Sequence, residues 1–300
     1  MEMIRCYKVA GHEFQLEMPE GYPLWPLLTQ YDPFEVESSA EPVFRLTLVD
    51  SLPECAKTPL LVRDNLKKDE SRVDLYAVDG GMLAEMAPAA DAPFCGRLLI
   101  TADFSRASLA VLKNSRRAAL FSINNALMLM FAFSTAPFGT LEMHSSVICK
   151  DGRGYLFLGT SGTGKSTHSS MWLKAVEGSE LMNDDNPIVR IGADGIVRVY
   201  GSPWSGKTPC YRNVEAPVGA FVQIRQEKFN KASRMSLLES YGALYSSCSG
   251  FKGDPEMGDA FHRTIEHVVL NVPFWFMDCL PDEDAARVCR EAVTGGQDNG

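Results

Sequence analysis

Residues 159–167 read Gly159-Thr160-Ser161-Gly162-Thr163-Gly164-Lys165-Ser166-Thr167, and no other stretch restricts the fold of this chain as strongly. The pattern is G-x-x-x-x-G-K-[ST]. Three glycines let the backbone take positive φ, so that successive N–H groups turn inward toward the oxygens of a phosphate. Lys165 is spaced to reach β- and γ-phosphates, and the Ser166 hydroxyl to ligate Mg²⁺. The flanks agree. Tyr155, Leu156, Phe157 and Leu158 predict a short buried strand entering the loop, and 166–176, with Met171, Trp172 and Leu173, predicts a helix stopped near Gly178. A helix N-terminus under the loop brings its positive dipole end to the same anion.

The chain contains the pattern a second time, in Gly201-Ser202-Pro203-Trp204-Ser205-Gly206-Lys207-Thr208. Context separates the two. Pro209 and Pro217 bracket the segment after the second lysine, and Cys210-Tyr211-Arg212-Asn213 has no helical period, so no helix is expected there to receive a phosphate.

Composition excludes several partners. The net charge of −9 is spread evenly: residues 1–140 carry 18 acidic and 13 basic side chains (−5), the remainder 20 and 16 (−4). No segment is a basic patch, so nucleic acid is not expected. Five histidines and eight cysteines form no C-x-x-C and no H-E-x-x-H, which argues against a zinc site. Eight cysteines beside such a loop, with no signal peptide at the start, point to a reducing cytoplasm, where each is expected to be a small buried hydrophobe.

The first 114 residues predict a β-rich domain. Residues 7–18 alternate around Gly11 like a hairpin, and strands are expected at 43–49, 73–78, 82–86 and 98–102. The run Leu46 to Asp50 mimics the apolar strand and aspartate that bind magnesium in many nucleotide hydrolases. An edge strand closed by an Asp turn is the plainer account. Residues 118–141 carry no charge, but the apolar core, 126–133, is only eight residues long. Ser122, Asn124 and Asn125 interrupt its front and Pro137 and Gly139 end it, so a buried helix over 115–133 is expected rather than a membrane span of about 20 residues. That helix is assigned to the second domain, 115–300, as its lead-in.

Within that domain, Asp151-Gly152 between two apolar runs predicts a hairpin whose second strand feeds the loop. Past the helix, Asn183-Asp184-Asp185-Asn186-Pro187 presents adjacent carboxylates at a strand end. Strands are expected at 188–191, 197–200, 220–224 and 274–277, and helices at 235–247, 259–270 and 282–293.

The glycine loop, the Asp184–Asp185 pair about twenty residues after it and His144 about twenty before Lys165 together resemble the HPr kinase/phosphorylase and phosphoenolpyruvate carboxykinase superfamily. The match is good over roughly 140–215 and weak beyond. The resemblance implies an α/β (α+β) fold with a mixed, largely antiparallel sheet, ATP on the loop and Mg²⁺ across its phosphates. It makes Lys165 the phosphate-neutralising lysine, Ser166 and Asp184 the metal side, Asp185 the acceptor of a hydroxyl proton, and His144 catalytic. An ordinary half-buried histidine and a turn-capping Asp-Asp are the alternatives.

The chain departs from that pattern where the kinases carry a glycine-rich signature with a metal-binding glutamate; here it has Gly201 to Lys207. The resemblance therefore does not extend to HPr as the acceptor. The Trp204 loop, with Lys207 and Arg212 as anion contacts, is a candidate acceptor site, solvated surface charge being the equal alternative. The β-rich half is expected to shape access to it.

A kinase acting on a serine-type hydroxyl, of a small molecule or a peptide, is the leading expectation. A carboxykinase-like enzyme and a nucleotide-binding regulator without turnover are the others. No membrane partner is expected, and a homo-oligomer is compatible with the sequence. Lys165→Ala should weaken ATP binding strongly and Lys207→Ala hardly at all; calorimetry giving the reverse order would assign the phosphate to the wrong loop.

Overall fold

The structure is a computed structural model and describes residues 2–37, 41–62, 66–68, 70–112, 115–206, 208–250 and 255–295. The chain divides into two compact units, Met1–Thr135 and Ala136–Gly300.

In the first unit the chain runs β1 (Glu2–Val9), β2 (His12–Pro19), β3 (Glu35–Val36), β4 (Phe44–Val49), β5 (Thr58–Leu61), β6 (Arg72–Val78), β7 (Gly81–Ala87), β8 (Gly96–Thr101), β9 (Arg106–Val111) and α1 (Arg116–Thr135). The strands form one mixed sheet in the order β3-β1-β2-β4-β9-β8-β7-β6-β5. The hairpin at Gly11 is present, with Ala10 and Gly11 both at positive φ, as a tight two-residue turn requires. β4 is not an edge strand: it lies between β2 and β9 and is parallel to both, because its alternating Phe44 and Leu46 face the core while Arg45 reaches Gln15 across the sheet. β9 is an addition to the expected strands; its Arg-Ala-Ser-Leu-Ala-Val run is too rich in small residues to look like a strand without its neighbours.

Helix α1 belongs to the first unit, not to the second as its lead-in, and packs on β4, β8 and β9. Its polar interruptions are satisfied locally. Ser122 donates to the Ala118 carbonyl, Asn125 to that of Phe121, and Asn124 accepts from Tyr31 and Gln30. Among the described residues it is the one helix long and apolar enough, over Arg116–Phe138, to cross a membrane by length and composition, and 56% of its apolar window is buried.

The second unit runs β10 (Thr140–Met143), β11 (Ser145–Lys150), β12 (Arg153–Leu158), α2 (Lys165–Ala175), β13 (Glu180–Asp185), β14 (Ile188–Ile191), β15 (Val197–Tyr200), β16 (Glu215–Gln226), β17 (Lys231–Arg234), α3 (Leu237–Ser247), β18 (Cys248–Ser249), α4 (Pro255–Asn271), β19 (Phe274–Cys279) and α5 (Glu283–Gly295). The sheet is mixed and mainly antiparallel. β11 pairs antiparallel with β12 and β13, whereas β16 runs parallel to β12 on one side and to β19 on the other. Tyr155, Leu156, Phe157 and Leu158 form a continuous apolar run because β12 is covered on both faces. Leu156 and Leu158 pack with Leu244 of α3 and Ile265 of α4, while Tyr155 and Phe157 meet Trp172 of α2 beside Ala286 and Cys289 of α5. All eight cysteines are free; six are buried, and Cys55 and Cys149 are only half-buried, against the expectation that all would be core residues.

Candidate functional site

β12 delivers the chain to the loop, and α2 takes it away. The glycines of the loop carry the unusual backbone, with φ of +147° at Gly159, +86° at Gly162 and +103° at Gly164. Gly164 caps α2 in the left-handed conformation with no side chain bonded to the first turn, which leaves helix N–H groups for an anion. Lys165 is the first helical residue and is 8% exposed. Its Nζ donates to the carbonyl of Gly159 at 2.8 Å and lies 2.9 Å from His144 Nε2. Burial lowers the lysine pKa, and the charges of Asp185 and Asp184 oppose that effect.

His144 continues the chain of contacts. Its Nδ1 is 3.0 Å from Asp185 Oδ1. With the ammonium donating to Nε2, the ring proton is left to Nδ1, the nitrogen nearest Asp185. Lys165, His144 and Asp185 therefore form one series of close polar contacts. Asp184 takes a different partner: its Oδ1 accepts from Ser166 Oγ at 2.9 Å.

Adjacent strand residues point to opposite faces, which is how neighbouring carboxylates come to serve different partners. The end of β13 is held firmly in this arrangement. β11 pairs Ser145 with Asp185 and Ser146 with Asp184. Asp185 adopts φ +146°, in the region that favours glycine, a strain that persists only where the surroundings fix the backbone.

The second glycine pattern supplies that support and starts no helix. The Gly206 N–H donates to the Asp184 carbonyl at 2.6 Å, and Ser205 forms a β-bridge with Asp185. Buried Asn183 donates to Ser202 Oγ and the Trp204 carbonyl, both at 3.2 Å, and accepts from the Asn186 N–H at 3.0 Å. A Cβ on Gly206 would sit 3.1 Å from the Asp184 carbonyl, so the glycine permits the close approach.

Of the residues considered for the acceptor, Trp204 and Arg212 serve separate structural contacts. Trp204 is buried in this brace. Arg212 binds Glu180 Oε2 at 2.7 Å and the Leu181 carbonyl at 2.8 Å, at the opposite end of β13 from the carboxylate pair. Lys207 lies outside the described residues.

Two residues that belong to no motif in the sequence also stand at the site. Glu142, on β10 two positions before His144, is 2% exposed, and neither carboxylate oxygen has a hydrogen-bond partner. Burial, reinforced by the Asp185 charge, pushes its pKa well above the carboxylate range. Its position as the first charge after a long uncharged stretch is the signal the sequence holds for it. His168, 3% exposed, is the other. Its Nε2 accepts from the Trp172 indole N–H at 3.2 Å, and its ring meets Phe157 edge-on at 4.7 Å. The i, i+4 spacing of His168 and Trp172 is the corresponding clue.

No protein-family model matches this chain, and comparison with curated proteins finds no match. Function is therefore read from the site itself: a glycine-rich loop ahead of a helix N-terminus, a buried lysine, a hydroxyl–carboxylate oxygen pair and a second carboxylate beside a histidine.

Burial pushes the His168 imidazole down from 6.5 to about 4. The unfolded chain binds this proton first on acidification, so the stability associated with neutral His168 is present above pH 6.5 and lost as pH falls toward 4. The loss is about 2 kcal/mol between pH 7 and pH 5. Denaturant titration at the two pH values should show His168→Gln losing less stability than the wild type by that amount; parallel losses would contradict the assignment.

Proposed function

We propose that the chain is a Mg²⁺-dependent kinase, similar to HPr kinase, that transfers the γ-phosphoryl group of ATP to a serine-type hydroxyl. The observation that carries this is the division of labour at the end of β13, where Asp184 faces Ser166 and Asp185 faces His144 and, through it, Lys165. On this reading residues 159–167 are a phosphate-binding loop in a sheet of the phosphoenolpyruvate carboxykinase kind.

The residues suit Mg²⁺. Ser166 Oγ and Asp184 Oδ1 are hard oxygen donors, and no group of three metal-binding side chains occurs among the described residues. Magnesium characteristically takes one or two carboxylates and completes its shell with phosphate oxygens and water. When bound, the ion would neutralise charge on the phosphates. The protein's own groups do the rest. Loop N–H groups and Lys165 hold the β- and γ-phosphates in line, positioning and charge stabilisation being most of what phosphoryl transfer requires. Asp185 accepts the proton of the attacking hydroxyl, with its carboxylate oriented by His144 Nδ1–H and by the Asn186 amide 3.1 Å away.

A dicarboxylate substrate would need several cations around it. Arg212, one of the two considered, is occupied by Glu180. Eight unpaired cysteines suit a reducing compartment, and we place the enzyme in the cytoplasm.

Incubation with γ-labelled ATP, Mg²⁺ and either hydroxyl-bearing small molecules and peptides or oxaloacetate tests this. Label is expected as a phosphate ester on a hydroxyl. Label appearing only as phosphoenolpyruvate would contradict the kinase, as would tight ATP binding with no transfer to any acceptor.

A further inference from the structure

Next to the glycine loop lies a cavity of about 430 Å³, within the range of roughly 300–1,000 Å³ typical of small-molecule sites. The first two turns of α2 form one wall, and the carboxyl ends of the parallel strands β16 and β19 form the other. The lining is largely apolar, from Met171, Ile224, Leu280 and Pro281. Thr163 and Gly164 of the loop border it directly, so the cavity is continuous with the glycine loop.

One polar group in the wall is set apart by its partners. His168 lines the cavity and is otherwise enclosed in the protein. Its Nε2 accepts the Trp172 indole N–H, a group that can only donate. The ring proton therefore resides on Nδ1. That atom has no protein hydrogen-bond partner, yet it is not among the sealed-off unpartnered atoms. It opens onto the cavity as a single fixed donor.

We propose that this cavity receives the heteroaromatic base of the nucleotide and that His168, through Nδ1–H, is the specificity-determining residue that donates to a ring nitrogen or carbonyl acceptor on the base edge. This rests on the reading of the loop as a nucleoside triphosphate site. Largely apolar walls with a donor fixed in place at His168 suit a flat ring bearing an acceptor. A sugar, with many hydroxyls, would leave most of them unpaired against Ile224, Leu280 and Pro281. Charged groups occur only at Glu227 and Lys228 in the lining, next to Gln226, whose amide is tied to the loop carbonyls of Gly162 and Thr163.

The test compares Mg-ATP with Mg-tripolyphosphate by calorimetry on the full chain. In His168→Gln the side-chain carbonyl can accept from Trp172 while the amide donates into the cavity; His168→Phe keeps the ring contact with Phe157 and donates nothing. ATP affinity is expected to fall about tenfold in His168→Phe and to stay near the wild-type value in His168→Gln. Tripolyphosphate, which has no base, should bind all three proteins alike. Equal ATP affinity in His168→Phe would overturn the role of His168 and leave the loop reading intact. Loss of both ligands in that variant would make the residue structural and overturn it too. Failure of wild-type protein to bind either ligand would overturn the loop reading and, with it, this inference.

Discussion

Three side chains from three places in the second unit meet in one series of polar contacts: Lys165 from the start of α2, His144 from the link between β10 and β11, and Asp185 from the end of β13. Everything else about the site depends on keeping these elements in register. The antiparallel pairing of β11 with both β12 and β13 does this, because one strand then fixes the position of the loop and of the carboxylates. The Ser146–Ser169 hydroxyl contact, 2.6 Å and buried, ties the same strand to α2.

The electrostatics follow from that geometry. A buried lysine is destabilised in its charged form, and two carboxylates supply the compensating field. Were both to approach Lys165 equally, the site would be a closed ion cluster with nothing left for metal or substrate. Directing Asp184 to the Ser166 hydroxyl and Asp185 to the imidazole keeps the two groups chemically distinct one residue apart. The cost is local strain at Asp185, which the Asn183–Ser202–Trp204 brace sustains from beneath.

What the sequence made legible was local. The loop, its flanking strand and helix, the Asp151–Gly152 hairpin and the carboxylate pair could be read because residue spacing and turn chemistry act over a few positions. Strands β14 and β15 have the expected bounds for the same reason. Features governed by distant partners were misread or missed. β4 lies inside its sheet because β9, sixty residues later, pairs with it. Helix α1 joins the first unit through contacts no periodicity records. Arg212 is drawn to Glu180 by the path of the 201–214 segment, and the second glycine pattern becomes a brace because Asp184 offers its carbonyl. His168 gains its character from burial, and Glu142 from burial reinforced by the Asp185 charge.

The proposed chemistry turns on the separate duties of adjacent carboxylates, and comparing Asp184→Asn with Asp185→Asn measures this directly. Mg-ATP affinity and single-turnover transfer would be followed in both proteins. Asp185→Asn should keep Mg-ATP binding while transfer falls by about 10²–10⁴-fold, the usual contribution of a general base. Asp184→Asn should weaken Mg²⁺ binding as well. Transfer by Asp185→Asn at the wild-type rate, or the same loss of Mg²⁺ affinity in both variants, would contradict that division of duties.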